Sequence, residues 1–176
     1  MKRQKKKFSS PLRPWDRGRI EVEREVINEY GLRRKKEIWR AQEILRELRR
    51  RGRESVAKKD KSQEKVLIER AVRLGLVGSG AKIDDVLALT LKNILDRRLQ
   101  TLVFKKGLAN TPKQARQFIV HGHVSVSGSK LKWPSYIVPT ADETNISFYK
   151  KELKTAAKEK EPVKAEIAAK GGANGA

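Results

Sequence analysis

Cysteine does not occur in this 176-residue chain. Its absence excludes disulfide frameworks, thiol catalysis and zinc sites of the Cys type, and it fits a reducing intracellular compartment. No apolar stretch approaches the roughly 18 residues needed to span a bilayer, so no membrane-spanning segment is expected, and no membrane is counted among the partners. The opening run Met1-Lys2-Arg3-Gln4-Lys5-Lys6-Lys7 is not followed by a hydrophobic region, and secretion is not expected. Acidic residues are scarce as well: 21 Asp plus Glu stand against 42 Lys plus Arg, leaving a net charge of +21. Self-repulsion on that scale disfavours a solitary compact protein, and a polyanion would relieve it, so nucleic acid or an anionic membrane surface is the counter-surface that charge alone suggests. An ordinary soluble metabolic enzyme is therefore disfavoured. The hydrophobic share, 38%, is low but above that of a wholly disordered tail, so some core is expected.

The charge excess is unevenly spread. Residues 1–19 hold eight bases and one acid, and residues 95–138 hold the same numbers, so these two segments supply 14 of the 21 net charges. They differ in kind. The first carries Lys5, Lys6, Lys7, Arg13 and Arg17 among Ser9, Ser10, Pro11 and Pro14, with Trp15 as a docking residue. It reads as an extended basic arm placed against phosphate, with a solvated tail and a nuclear-import signal as the plainer readings.

From Ile20 a helical pattern runs through Val22, Val26, Ile27 and Tyr30 to a C-cap at Gly31. A second helix, from about 33 to 51, has the stripe Ile38, Ala41, Leu45 and Leu48 with Trp39 beside it, and closes on Arg49, Arg50 and Arg51 before Gly52. Those three cations have two readings, compensation of the helix dipole and contact with phosphate. Asp60 and Gln63 form a capping box for a third helix that stops at Gly75. The loop at Gly78-Ser79-Gly80 lacks the Lys-Ser/Thr ending of a phosphate-binding loop. Asp84 and Asp85 open a fourth helix through Val86, Leu87, Leu89 and Leu91, as cap and dipole residues rather than catalytic ones.

Residues 95–138 combine charge with apolar periodicity. Leu95, Leu99, Leu102 and Val103 make one helix stripe, with Arg98, Thr101 and Lys105 on a basic face, and Gly107 ends the helix. Thr111, Pro112 and Gln114 then give a strong helix start. That second helix buries Ala115, Phe118 and Ile119, leaves Lys113, Arg116 and Gln117 outward, and ends at Gly122. His123 to Val126 alternates like a strand, Ser127-Gly128 turns, and Lys130 to Trp133 returns. Two imidazoles, His121 and His123, without a third ligand do not make a normal metal site, and no metal or cofactor is expected. The fold class expected is α+β: a helical N-terminal part, a small helix-helix-β-hairpin module, and a basic extended arm. Further strands are expected near 136–138 and 146–148. The divisions are 1–19 for the arm, 20–94 for the helical domain, 95–150 for the module with its flanking strands, and 151–176 for a flexible tail.

The run Leu95-Asp96-Arg97-Arg98-Leu99-Gln100-Thr101, then Gly107-Leu108-Ala109, Gln114-Ala115-Arg116-Gln117, His121-Gly122-His123-Val124, Ser127-Gly128 and Pro134-Ser135-Tyr136 resembles the RNA-binding module of small-subunit ribosomal protein four. Trp15, Glu29-Tyr30-Gly31-Leu32 and Lys36-Glu37-Ile38-Trp39-Arg40 resemble the helical portion of that family in its archaeal and eukaryotic style. The resemblance covers about residues 8–150. It implies binding to 16S-type ribosomal RNA early in small-subunit assembly, a place near the messenger RNA entrance, a cytoplasmic location, and the small-subunit proteins numbered five and three as neighbours.

The resemblance also sets Arg97, Arg98, Thr111, Lys113, Gln114, Arg116, Gln117, His121, His123 and Lys130 against RNA. The plainer readings stay open: Arg97 pairs with Asp96 or another acid, and the histidines finish a helix and start a strand. Two departures are visible, the missing cysteine zinc site of some bacterial relatives and Ser127-Gly128 where Asn-Gly is usual. The alternative function is a free-standing regulatory RNA binder or an RNA-modification accessory using the same module. A pseudouridine synthase would need a separate catalytic domain, and the residues after 138 are mostly Lys/Glu/Ala tail, so no catalytic residue is expected.

Overall fold

Start and stop residues set the element boundaries across residues 6–149, which are the residues the computed structural model describes. Lys5 and the expected tail at 151–176 lie outside them. Helix α1 (Arg17–Tyr30) begins after Asp16, whose carboxylate accepts from the Arg19 amide, and ends at Gly31 in the left-handed region (φ 60°). Helix α2 (Lys35–Lys58) runs past the expected stop at Gly52. Gly52 is buried there, and a Cβ on it would stand 3.0 Å from Leu87 Cδ2. Its role is close packing rather than termination. Helix α3 (Lys61–Arg73) starts at Asp60, which accepts from the amides of Ser62 and Gln63.

The expected fourth helix is two. Helix α4 (Ile83–Ala88) stops at an extended Leu89, and Thr90 begins α5 (Leu91–Asp96), with Asn93 Oδ1 accepting from the Thr90 amide at 3.3 Å. The expected helix from Leu95 also breaks, between α5 and α6 (Leu99–Lys105). The returning chain causes this break. Arg98 pairs with Ile137 in an isolated antiparallel bridge, the Val138 amide donates to Arg97 O (3.0 Å), and the Leu99 amide donates to Tyr136 O (2.7 Å). Backbone groups that would continue the helix are used by that segment, so Tyr136 to Val138 forms a bridge and not the expected strand.

Helix α7 (Pro112–His121) leads into β1 (Val124–Val126), β2 (Ser129–Lys130), the short α8 (Thr140–Glu143) and β3 (Ile146–Phe148). The sheet is antiparallel in the order β2-β1-β3, with Val126 opposite Ser129 and Val124 opposite Phe148. Ser127 (φ 49°) and Gly128 (φ 78°) make the two-residue turn that right-twisted strands favour. The architecture is the α+β arrangement expected. Its apolar interior has two clusters. One gathers Val26, Ile38, Leu45, Leu67, Val86 and Ile94 from α1 to α5, and the other gathers Leu99, Val103, Ala115, Ile119, Val124 and Ile146. Each fully buried aliphatic side chain contributes about 1.5–3 kcal/mol relative to exposure. The change from one cluster to the other falls between Leu95 and Leu99.

Candidate nucleic-acid interface

Helix α7 is started by Thr111, whose Oγ1 accepts from the Gln114 amide at 3.2 Å. Gln114 Oε1 in turn accepts from the Asn110 amide (2.8 Å), one residue earlier than a capping box would place it. With Ala115 and Ile119 buried against α6, the row Lys113, Gln117 and His121, at i, i+4 and i+8, is exposed. The His121 and His123 rings stack at 6.2 Å and 19°, and Phe118 stands edge-on to both His123 (6.3 Å) and Phe148 (6.0 Å). Lys130 crosses Gly122 so closely that a Cβ there would overlap its Cε, and its ammonium sits 5.5 Å from the Tyr149 ring centroid. The α7 row and the β2 edge therefore meet at Gly122. Lys113 and Lys130 form no ion pair among the described residues.

The arginines of the same segment are used differently. Arg98 is 5% exposed and its Nη2 lies 2.7 Å from Glu37 Oε2. Arg116 reaches both oxygens of Glu37, at 3.0 and 3.1 Å, and also donates to Gln100 Oε1 (3.2 Å). The Gln100 amide nitrogen donates to the carbonyls of Tyr30 (3.0 Å), Gly31 (3.1 Å) and Pro112 (3.0 Å). One carboxylate on α2 and one amide on α6 thus fasten the helical part to the module.

Burial alone pushes the Glu37 pKa up, but the Arg116 hydrogen bond and the Arg98 charge outweigh it and hold the carboxyl below its usual range. The Tyr30 hydroxyl, which donates to Asp96 at 3.2 Å, is pushed far up by burial and then by the charges of Asp96 and Glu29. Burial lowers the pKa of Arg98, and Glu37 opposes that shift.

Arg97 pairs with Glu143 (2.7 Å) and donates to Val138 O (3.0 Å), so the acid it finds is not the adjacent Asp96. The expected basic face of Arg98, Thr101 and Lys105 is reduced to Lys105. Arg98 offers RNA no accessible guanidinium, Thr101 is buried and donates to Leu95 O (2.8 Å), and Lys105 pairs with Asp96 at the surface (3.0 Å). Of the three arginines at the middle of α2, Arg49 donates to Leu89 O (2.6 Å) at the end of α4, whereas Arg50 and Arg51 are exposed and pair with Glu54 and Glu47 one turn away. Exposed pairs of that kind contribute about 0.3–0.5 kcal/mol and yield readily to a phosphate.

In the arm, Lys6, Lys7, Arg13 and Arg17 are exposed, with Arg19 donating to Arg13 O (3.1 Å). Trp15 is 87% exposed and does not dock; Phe8 does, tilted against Trp39 at 6.0 Å. The buried acid Glu23 holds Arg19 (2.6 Å), Trp39 Nε1 (2.9 Å) and Lys35 (3.7 Å). Glu37, Gln100 and Glu23 were not among the sequence candidates. Their signals were a lone acid among Lys35, Lys36 and Arg40, a polar residue inside the Leu99 to Val103 apolar run, and an acid beside Val22 in α1. Among the described residues no cluster of His, Asp or Glu suits a metal ion, and no helix is long and apolar enough to cross a membrane.

The family model of the S4 domain matches residues 97–143, the stretch that carries α6, α7, the hairpin and α8. Over a longer span the chain is similar to proteins named small ribosomal subunit protein uS4. That of Methanococcus aeolicus is 49% identical over 151 residues, covering 84% of this chain and 85% of that protein. That of Saccharolobus islandicus is 45% identical over 152 residues, 84% of each, and that of Methanosphaera stadtmanae 42% over 151 residues, 84% and 83%. Identity at this level over more than four fifths of both chains places the whole described fold, and not the module alone, inside one family: the chain belongs to the uS4 family of small ribosomal subunit proteins.

Proposed function

We propose that this protein is a structural, non-catalytic constituent of the small ribosomal subunit that binds 16S-type ribosomal RNA. The observation that carries the reading is the division of labour among its cations. Arg98 and Arg116 are tied to Glu37 and Arg97 to Glu143, whereas Lys113, Gln117 and His121 stay exposed along α7 and Lys130 stays exposed at its C-terminal end. The tied arginines hold the module in place, and the exposed row meets the polyanion. Lysines, glutamine and imidazole along a helix suit phosphate and 2′-hydroxyl contacts, which position a protein on folded RNA whose deep groove offers few readable base edges.

In this reading residues 20–94 are the scaffold, 95–150 the RNA-binding module and 1–19 an arm along the backbone. Binding occurs early in subunit assembly at a helical junction in the cytoplasm, near the messenger entrance and beside the small-subunit proteins numbered five and three, as the family resemblance implies. Filter binding of a small-subunit RNA junction transcript over a salt series tests it. Four to six engaged cations give a log–log slope of about −3 to −5. A slope near zero, or equal affinity for an unrelated duplex, would refute it.

A further inference from the structure

A cavity of about 770 Å³ opens where α2 faces the segment Trp133–Ile137, with Phe8 of the arm at its edge. Its walls combine two chemistries. Trp133 and Tyr136 present rings that are 65% and 36% exposed, and five basic residues line the cavity against a single acid, Glu37. That acid is already shared by Arg98 and Arg116, so the cavity keeps a formal excess of four positive charges.

The ring-bearing segment is fixed. The first amides of α6, which have no partner inside their own helix, donate to it: Leu99 to Tyr136 O (2.7 Å) and Gln100 to Pro134 O (3.4 Å), while the Tyr136 amide donates to Trp133 O (3.1 Å). A large indole left mostly in water on a rigid turn, next to excess positive charge, is not explained by packing. The adjoining cavity is lined by Lys6, Lys7 and Arg40 against Glu43 and Glu47, and it shares Phe8, Arg40 and Ile44 with the cleft, so the arm reaches the cleft's edge.

We infer that this cleft receives one unstacked RNA nucleotide, its base against Trp133 and Tyr136 and its phosphate on Lys36 and Arg40, which line the cavity, are exposed and lie one turn apart on α2. The volume lies within the roughly 300–1,000 Å³ of pockets that enclose small organic ligands. Base–aromatic stacking tolerates any base, because every base has a π-face, and a guanidinium beside the ring donates to the adjoining phosphate. An acidic peptide would satisfy the charge but leave the two rings without a flat partner. This inference rests on the RNA-binding reading above and adds a base-receiving site, on the seam between the module and the helical part, to the phosphate-facing row of α7.

The test uses the full chain and the same junction transcript. Trp133→Ala is expected to weaken binding roughly 5- to 150-fold, the range of one lost base–aromatic stack. Trp133→Phe keeps a ring and stays within about 3-fold of the wild type. Arg40→Ala weakens binding and makes the salt slope shallower by about 1. Because Trp133 is 65% exposed, its truncation leaves both apolar clusters intact, which circular dichroism verifies. If the wild type binds and Trp133→Ala binds equally well, the cleft is not a nucleotide site although the RNA-binding reading survives. If the wild type fails to bind, both fall. Displacement of the transcript by millimolar adenosine monophosphate alone would mark a free-nucleotide site and overturn the assignment to RNA.

Discussion

Removing the Glu37 carboxylate is the most discriminating perturbation of the fold. In Glu37→Ala, Arg98 keeps its charge at a position only 6% exposed at the side chain and loses its 2.7 Å partner. An ion left buried by deletion of its partner costs about 3–5 kcal/mol. Arg116, at 24% exposure, can turn to water, so its share is the roughly 0–1 kcal/mol of a surface pair. The loss expected at neutral pH is therefore about 3–5 kcal/mol, dominated by Arg98. With a urea slope of about 1–3 kcal/mol/M, the unfolding midpoint falls by about 1–5 M, a change that circular dichroism resolves.

Acid should modulate the effect in one direction. The folded state holds the Glu37 carboxyl below its ordinary value, so the stability it contributes is complete above the unfolded-state glutamate range and declines as pH falls through the depressed value. The wild type and Glu37→Ala therefore converge in acid. Combining Glu37→Leu with Arg98→Met should cost less than Glu37→Ala alone, because no buried charge remains. A loss under about 1 kcal/mol at pH 7, or one that stays constant into acid, would refute the argument that Glu37 neutralises a buried guanidinium.

Gln100→Leu should destabilise the chain by about 2–4 kcal/mol in the same urea assay, since three carbonyls lose their shared donor and Arg116 loses an acceptor. Gly31→Ala should cost about 2–3 kcal/mol, because φ is 60° and the new Cβ would stand 2.8 Å from Pro112 Cβ; an unchanged melting curve would contradict the close approach. Lys113→Ala should leave stability within about 0.5 kcal/mol and make the RNA salt slope shallower by about 1, whereas an unchanged slope would remove Lys113 from the phosphate contacts.

Caps and glycines were legible because their chemistry is local. Asp60, Thr111, Gly31 and Gly122 act within one turn of their own position. The errors came where a distant segment decided the outcome. Gly52 reads as a stop until Leu87 is seen packed on it, and the helix expected through Leu95 and Leu99 breaks because residues 136–138 return and take its backbone groups. The same holds for the charged residues. Periodicity places Arg98 and Arg116 on polar faces, but nothing within a few residues of either shows that Glu37, 61 and 79 positions earlier, will draw them inward. Lys113, Gln117 and His121 stay outward because no acid from another element is set opposite them.

The Glu37 fastening also has a timetable. During synthesis at about 5–20 residues per second, Arg116 emerges roughly 4–16 seconds after Glu37, a delay set by the 79 residues between them. α1 is complete throughout that interval and α2 once Lys58 has been added, while the apolar cluster they share still lacks Ile94 and Leu95 for most of the wait. The nascent chain therefore carries a negative charge at the edge that will later be its internal joint. Arrival of Arg98 and Arg116 cancels it, so the joint closes only once the module able to recognise RNA has itself been made.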